Sequence, residues 1–145
     1  MGIRRGSIST PIIVDGLVFN MDASNRASYP RIGTTWFDTI GTNNGTLTNN
    51  PLFDSGNVGS IDFDGTDDYV AIPAATATGD FELEFQFATT EEAEQILLGH
   101  SVGTVNFVSL LANGTMRVRV NNNTITGSTV VDAGKLHTAK VTRVG

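Results

Sequence analysis

The stretch Phe81-Glu82-Leu83-Glu84-Phe85-Gln86-Phe87 decides the fold class of this chain. Every odd-numbered position in it is apolar, and every even-numbered position is polar. Successive side chains of a β-strand point to opposite faces of the sheet. The alternation therefore predicts a strand over residues 81–87, with one face in a core and the other facing solvent or a groove.

A second alternating stretch, residues 116–120, follows the dipeptide Asn113-Gly114. Asn-Gly readily adopts the positive φ angles of a tight turn, so we expect a hairpin that joins this stretch to a strand within residues 105–111. Short β-branched or aromatic runs bounded by turn residues predict further strands at residues 17–21, 59–63, 69–72, 95–99 and 138–144. Residues 23–57 are rich in Gly, Asn, Thr, Ser and Pro, which indicates a long ordered loop with short strand pieces.

Many short strands without βαβ spacing predict an all-β fold, an antiparallel β-sandwich or jelly roll. Residues 1–11 have no core pattern and are expected to form an extended N-terminal arm. Residues 12–145 are expected to form one sandwich domain, since a chain of 145 residues is long enough to bury a core of its own.

Composition and charge restrict the class of function. The chain has no cysteine and a net charge of −6, with no Lys or Arg between Ile32 and Met116. The lack of cysteine excludes thiol catalysis, a disulfide framework and thiolate metal sites. An acidic chain without clustered basic residues is not expected to bind nucleic acid. No apolar run has membrane-spanning length, and residues 1–7 lack the apolar segment of a signal peptide, so we expect neither membrane insertion nor a cleaved leader.

Several motifs follow one another in an order that resembles a known family. The first three are Gly16-Leu17-Val18-Phe19-Asn20-Met21-Asp22-Ala23, Gly33-Thr34-Thr35-Trp36-Phe37-Asp38 and Phe63-Asp64-Gly65-Thr66-Asp67-Asp68-Tyr69-Val70, and residues 80–85 and 134–143 continue the series. Together they resemble the concanavalin A-like, laminin-G-like domains of tailed-phage virion proteins. The resemblance implies a double-sheet jelly roll carried on capsids, fibres or tails, which in some members binds glycans.

The sequence departs from this family in two places. The family usually has Trp before the His of its late strand, where this chain has Leu136. The family pattern also continues through several more strands, whereas this sequence ends at Gly145. We therefore expect a sandwich that is incomplete at its C-terminus, either because the sequence is a fragment or because a partner chain supplies the missing strands.

The aspartates of the third motif are the candidate metal ligands. Asp64, Asp67 and Asp68 lie within five positions around Gly65 and offer hard oxygen ligands for calcium. Their spacing differs from that of an EF-hand. The alternative is a turn between two strands, in which the carboxylates bond turn amides and Gly65 takes a positive φ. No cofactor is expected apart from this calcium.

Two groups of residues are candidates for catalysis. Glu82 and Glu84 lie on one face of the predicted strand, as the carboxylates of glycanases on this fold do, but the next position on that face is Gln86 rather than an acid. An alternating solvent face is the other interpretation of this pattern. His100 and His137 have neither zinc-site spacing nor a Ser-Asp pattern for a triad, so the chain is not expected to be an enzyme.

A glycan-binding surface needs aromatic platforms and polar loop side chains. The candidates are Trp36, Tyr29, Asn43 and Asn44. A sole Trp in such a sandwich often belongs to the core instead, which is the alternative for Trp36.

The family resemblance, together with the lack of a catalytic pattern, predicts a non-enzymatic structural or decoration protein of a virion, made in the host cytoplasm and held on the capsid or tail by its neighbours. The expected partners are other virion proteins, copies of the chain itself and host-surface glycans. The alternatives are a carbohydrate-binding adhesion domain and an endoglycanase. The arm would lie along an adjacent subunit and contact it through apolar and basic side chains, namely Ile3, Arg4, Arg5, Ile8, Ile12 and Ile13.

Overall fold

The computed structural model describes residues 15–56, 59–73, 79–90, 93–99, 107–120, 123–131 and 134–145. The described residues contain eleven β-strands, all paired antiparallel, and no helix. The all-β fold predicted from the sequence is therefore confirmed. The chain divides into two compact units, an N-terminal unit of residues 1–76 and a C-terminal unit of residues 77–145. The predicted arm, residues 1–11, lies outside the described residues, and the prediction of one domain over residues 12–145 stays a prediction.

The described residues of the N-terminal unit form two small sheets. Its strands are β1 (Thr35–Trp36), β2 (Gly45–Thr48), β3 (Leu52–Asp54), β4 (Ser60–Asp62) and β5 (Tyr69–Ala71). β2 lies between β1 and β5 in a three-stranded sheet, while β3 and β4 form a two-stranded sheet. The strands at residues 59–63 and 69–72 were predicted to within two residues.

The core of the N-terminal unit is small and mixed. Leu47 on β2 and Tyr29 in the preceding loop are buried, as are the polar side chains of Ser28 and Asp38. Gly45 at the start of β2 fits this packing because it has no side chain. A Cβ at this position would lie 2.6 Å from Val70 Cγ1 and 2.8 Å from Met21 Cε.

The C-terminal unit contains a four-stranded sheet and a two-stranded sheet. Its strands are β6 (Phe81–Phe87), β7 (Gln95–Gly99), β8 (Phe107–Leu110), β9 (Thr115–Val120), β10 (Asn123–Val130) and β11 (His137–Arg143). The larger sheet has the order β10-β9-β8-β7, and β6 pairs with β11 along the whole length of both strands.

The side chains of β6 alternate between a half-buried and an exposed face, as its sequence predicts. Its four Phe and Leu residues are half-buried, and its Glu and Gln residues are exposed. The central strand β8 is the most buried part of the larger sheet, with Val108 4% and Leu110 2% exposed. Ser109, between them, is fully buried, so both faces of β8 are covered.

The hairpin predicted at Asn113-Gly114 is present between β8 and β9, but the turn differs in type. Only Gly114 has a positive φ, of 77°, and Asn113 does not. The Gly114 amide donates to the carbonyl of Leu111, and the Leu111 amide donates to the carbonyl of Thr115. The Asn113 Oδ1 instead accepts hydrogen bonds from the amide and hydroxyl of Thr115. The loop is thus a three-residue turn that ends in a left-handed glycine.

One strand prediction was wrong, and one strand was missed. Residues 17–21 form no strand, because Asn20 is bonded to a loop: its amide donates to Asp38 Oδ1 and its carbonyl accepts from the Thr39 amide. β10 was not predicted, because it is built mainly from Thr, Ser and Asn and has no apolar alternation. Every residue of β10 is exposed.

Candidate functional site

The acidic turn, residues 62–68, connects β4 to β5 and is closed by its own carboxylates. Asp64 Oδ1 accepts hydrogen bonds from the amides of Thr66 at 2.8 Å and Asp67 at 3.3 Å. Asp68 Oδ2 accepts from the Asp64 amide at 3.1 Å. Gly65 has a φ of 73°, in the left-handed region. The turn-forming role is therefore observed for the carboxylates of Asp64 and Asp68.

The same turn gathers the three carboxylates that were predicted as metal ligands. One oxygen from each of Asp64, Asp67 and Asp68 lies within 4.8 Å of the others. Asp64 and Asp67 are exposed, while Asp68 is half-buried. The second oxygen of Asp68, Oδ1, is buried and has no hydrogen-bond partner among the described residues. A carboxylate oxygen in this state suits a cation or a water molecule as its partner.

The acidic turn forms one wall of a shallow cleft of about 200 Å³. The opposite wall is the loop between β2 and β3, where Asn49 and Asn50 have φ angles of 68° and 86°. Asn is among the few residues that tolerate this left-handed conformation. Asn49 Nδ2 also donates to the Asp67 carbonyl at 2.7 Å, which holds the loop against the turn. The cleft is lined by Asn49, Asn50, Leu52, Asp62, Asp64 and Asp68.

Electrostatics keep this cleft negative. The Thr66 amide is the main group that lowers the pKa of Asp64, and the amides of Asp67 and Asp68 add to it against a smaller opposing effect of burial. Asp64 therefore stays ionised at pH values below those at which an aspartate usually becomes protonated. Calcium needs about six to eight oxygens, so the three carboxylates would require carbonyls and waters to complete its shell. Calcium at Asp64, Asp67 and Asp68 stays a prediction.

Asp38 is a second carboxylate with a structural role, and sequence reasoning did not find it. It is 7% exposed and accepts hydrogen bonds from the amides of Asn20 at 3.0 Å, Ile40 at 3.1 Å and Asn43 at 3.3 Å. Burial alone would raise the pKa of Asp38, but these amides and that of Gly41 together lower it. Asp38 thus joins residue 20 to the loop of residues 38–43.

The predicted glycan-binding residues lie in and around this loop. Tyr29 is 3% exposed, and its hydroxyl donates to the Gly33 carbonyl at 3.0 Å. Its ring centroid lies 6.4 Å from that of Trp36, which is half-buried. Asn44 is exposed, and its Oδ1 accepts from the Asp38 amide at 3.0 Å. Asn43 is half-buried and supplies its own amide to Asp38. A glycan would meet the two asparagines and the half-buried Trp36, and this role stays a prediction.

The exposed face of β6 and β11 carries the two acids that are candidates for catalysis. Glu82 and Glu84 are both exposed on one face, as predicted. Lys140 of β11 lies directly opposite Glu84, and its Nζ is 2.8 Å from Glu82 Oε1. The hydrogen bond to Glu82 is the main cause of a raised pKa at Lys140, with a further contribution from the charges of both glutamates. The face therefore has paired charges of both signs.

His137, the one histidine among the described residues, packs against an aromatic ring. His137 pairs with Phe87 across β11 and β6, with 5.9 Å between their ring centroids. His100 and all six arm residues, Ile3, Arg4, Arg5, Ile8, Ile12 and Ile13, lie outside the described residues. No helix of the described residues has the length and hydropathy to span a membrane.

The larger sheet of the C-terminal unit has one face that carries arginines and one apolar face, in agreement with the alternation in residues 116–120. Arg117 and Arg119 of β9 share one face with the buried Ser109 and the exposed Ile96, and Arg117 pairs with Glu94. The Arg-x-Arg alternation in β9 was the signal for this face. The apolar face carries a row of directly paired residues, namely Ile125, Val118, Val108 and Leu98.

Comparison of the chain with protein-family models, curated proteins and solved structures found no match.

Proposed function

We propose that the chain is a structural or decoration protein of a tailed-phage virion, a non-enzymatic jelly-roll module of the concanavalin A-like, laminin-G-like type. It is made in the host cytoplasm and displayed on the capsid or tail, where its neighbours hold it. The ordered motifs from residues 16–23 to 134–143 support the family. The antiparallel sheets of both units are compatible with a β-sandwich.

The observation that carries this proposal is the amount of sheet surface that the chain leaves available for contact. Among the described strands β10 pairs with β9 alone, and all of its residues are exposed. Ile125 is 73% exposed, and Val130 at the end of the strand is 61% exposed. An unpaired edge strand without charges is a template on which another chain can pair. Such a surface suits a protein that functions in contact with neighbours, which here are virion proteins and further copies.

The N-terminal arm is the second element of the proposal. Its isoleucines and two arginines suit main-chain pairing along an adjacent subunit with an acidic surface. The acidic middle of the chain, which has no Lys or Arg between Ile32 and Met116, is such a surface on another copy.

Deleting residues 1–11 tests the arm. We expect the shortened chain to be absent from purified particles while its Trp36 fluorescence remains that of the folded protein. A charge-reversed variant, Arg4→Glu with Arg5→Glu, should also be incorporated poorly, whereas Arg4→Lys with Arg5→Lys serves as the matched control. Normal incorporation of the shortened chain would contradict the proposal.

A second candidate function, carbohydrate-binding adhesion, is favoured by the cleft beside the acidic turn. Amide and carboxylate groups line it, and Leu52, which is 60% exposed, offers an apolar contact. Sugar recognition uses this combination of groups. A glycan array separates the candidates: specific binding that is lost in Asn50→Ala or in Trp36→Phe favours adhesion, and a blank array favours the structural role.

A further inference from the structure

The outer edge of β10 differs from the other sheet edges of the described residues. β10 has eight residues, none of them charged and none of them proline. Charges and prolines are the usual means by which an edge strand avoids pairing with another chain. Its main-chain groups on the side away from β9 have no strand partner among the described residues.

The other edges carry features that discourage pairing. β6 presents Glu82 and Glu84, and β11 presents Lys140 and Arg143. The edge strands β1 and β5 are uncharged but have only two and three residues, and β3 and β4 have three residues each and end in aspartate. β7 has five residues, and its pairing shifts register between Ile96 and Leu98. A bulge of this kind twists an edge away from a straight partner. β10 also shifts register, but only after Thr126, so that its first four residues pair regularly.

We propose that β10 pairs antiparallel with β10 of a second copy, about a two-fold axis at Ile125. Ile125 ends the apolar row that crosses the sheet through Val118, Val108 and Leu98. A two-fold axis perpendicular to the sheet keeps each residue on its own face. Ile125 of the two copies would therefore meet and extend the row into the second sheet.

A second copy pairs at this edge without bringing like charges together, because β10 has no charged residue. Two chains with a net charge of −6 each repel one another over most of their surfaces. At the β10 edge no like charges would face each other, and the threonines beside Ile125 form favourable cross-strand pairs. An eight-residue edge spans only about 25 Å, so the contact is small and the association should be in the micromolar range or weaker.

This inference rests on the proposed assembly function but is tested without particles. The chain has no cysteine, so Ile125→Cys provides a single thiol. Directly opposed residues of antiparallel strands lie about 4.5 to 5.5 Å apart between Cα atoms, which is within the range of a disulfide. We expect mild oxidation to convert most of this variant to a covalent dimer. Leu52→Cys, at a 60% exposed position of β3, should remain largely monomeric.

Sedimentation of two lysine variants provides the second measurement. Ile125→Lys should weaken self-association at least tenfold, since it brings two like charges together at the axis. Ile96→Lys is the matched control, because Ile96 is also an exposed isoleucine but lies on β7 at the opposite edge. If both variants weaken self-association equally, the two-fold pairing is wrong, and β10 of one copy pairs with β7 of the next instead. A wild-type chain that is monomeric at about 1 mM, or equal cross-linking of both cysteine variants, would overturn the inference. If the dimer forms and the chain is absent from virions, only the proposed function fails.

Discussion

Replacing Asp38 by Ala should destabilise the N-terminal unit more than any other change to a single carboxylate described above. The substitution leaves the amides of Asn20, Ile40 and Asn43 without their acceptor. A hydrogen bond to a charged group contributes about 1.5 to 3 kcal/mol. Water replaces part of this at the exposed Ile40, so the three losses do not add. We expect the free energy of unfolding to fall by about 3 kcal/mol.

The substitution Asp38→Asn separates the shape of the side chain from its charge. One oxygen still accepts from Asn20 and Ile40, but an NH₂ group would face the Asn43 amide. We expect a loss of about 2 kcal/mol at neutral pH. Because the folded pKa of Asp38 lies below its usual value, its carboxylate contributes fully above the unfolded pKa of about 3.9. That contribution is lost as the pH falls through the folded pKa. The difference between wild type and Asp38→Asn should therefore be constant above about pH 5 and shrink below about pH 4.

Urea unfolding followed by tryptophan fluorescence is the appropriate assay. The chain has a single tryptophan, Trp36 in β1, so the signal reports on the unit that contains Asp38. Asp54→Ala is the control, since Asp54 is exposed and accepts a hydrogen bond from the Gly56 amide at 2.8 Å. The control should lose less than about 1 kcal/mol. Equal losses in Asp38→Ala and Asp54→Ala, or a difference from Asp38→Asn that persists at low pH, would refute the assigned role of Asp38.

Two further predictions concern a turn and the candidate metal site. Gly114→Ala should lower stability by about 2 kcal/mol, because φ is 77° and the new Cβ would lie 2.9 Å from Val130 Cγ1. Gly65→Ala has a similar φ of 73° but no atom within 4 Å, so it should lose only about 1 kcal/mol. Thermal unfolding by circular dichroism measures both, and equal losses would argue against the contact with Val130. Calcium titration of the wild type should give a dissociation constant of about 0.1 to 1 mM, lost in the double variant Asp67→Asn with Asp68→Asn. An absence of heat at 10 mM calcium, or unchanged binding by the double variant, would remove the metal site.

The parts of the structure that follow from local sequence were predictable. The strict alternation in residues 81–87 gave β6 with both of its faces. The acidic turn was predictable in the same way, because its carboxylates bond amides only two to four residues away. At Asn113-Gly114 the position of the turn was right and its geometry was not. The Asn113 side chain bonds Thr115, and only Gly114 takes the left-handed conformation.

The features that sequence reasoning missed depend on distant partners. Asp38 bonds an amide 18 residues away, and nothing in the local sequence distinguishes it from other loop aspartates. β10 has too few apolar residues for a periodicity, and its strand conformation follows from pairing with β9. The cleft likewise arises from the contact of Asn49 with Asp67, which brings two separate loops together.

The hairpin at Asn113 also affects how the protein ages chemically. An Asn-Gly pair in a flexible chain loses its side-chain amide when the glycine nitrogen attacks the Asn side-chain carbonyl. Here the Gly114 nitrogen donates to the Leu111 carbonyl at 2.8 Å, and the Asn113 Oδ1 is held by Thr115. Both reacting groups are therefore engaged while the hairpin is closed. The rate of deamidation at Asn113, followed by mass spectrometry during storage, therefore reports how often β8 and β9 separate.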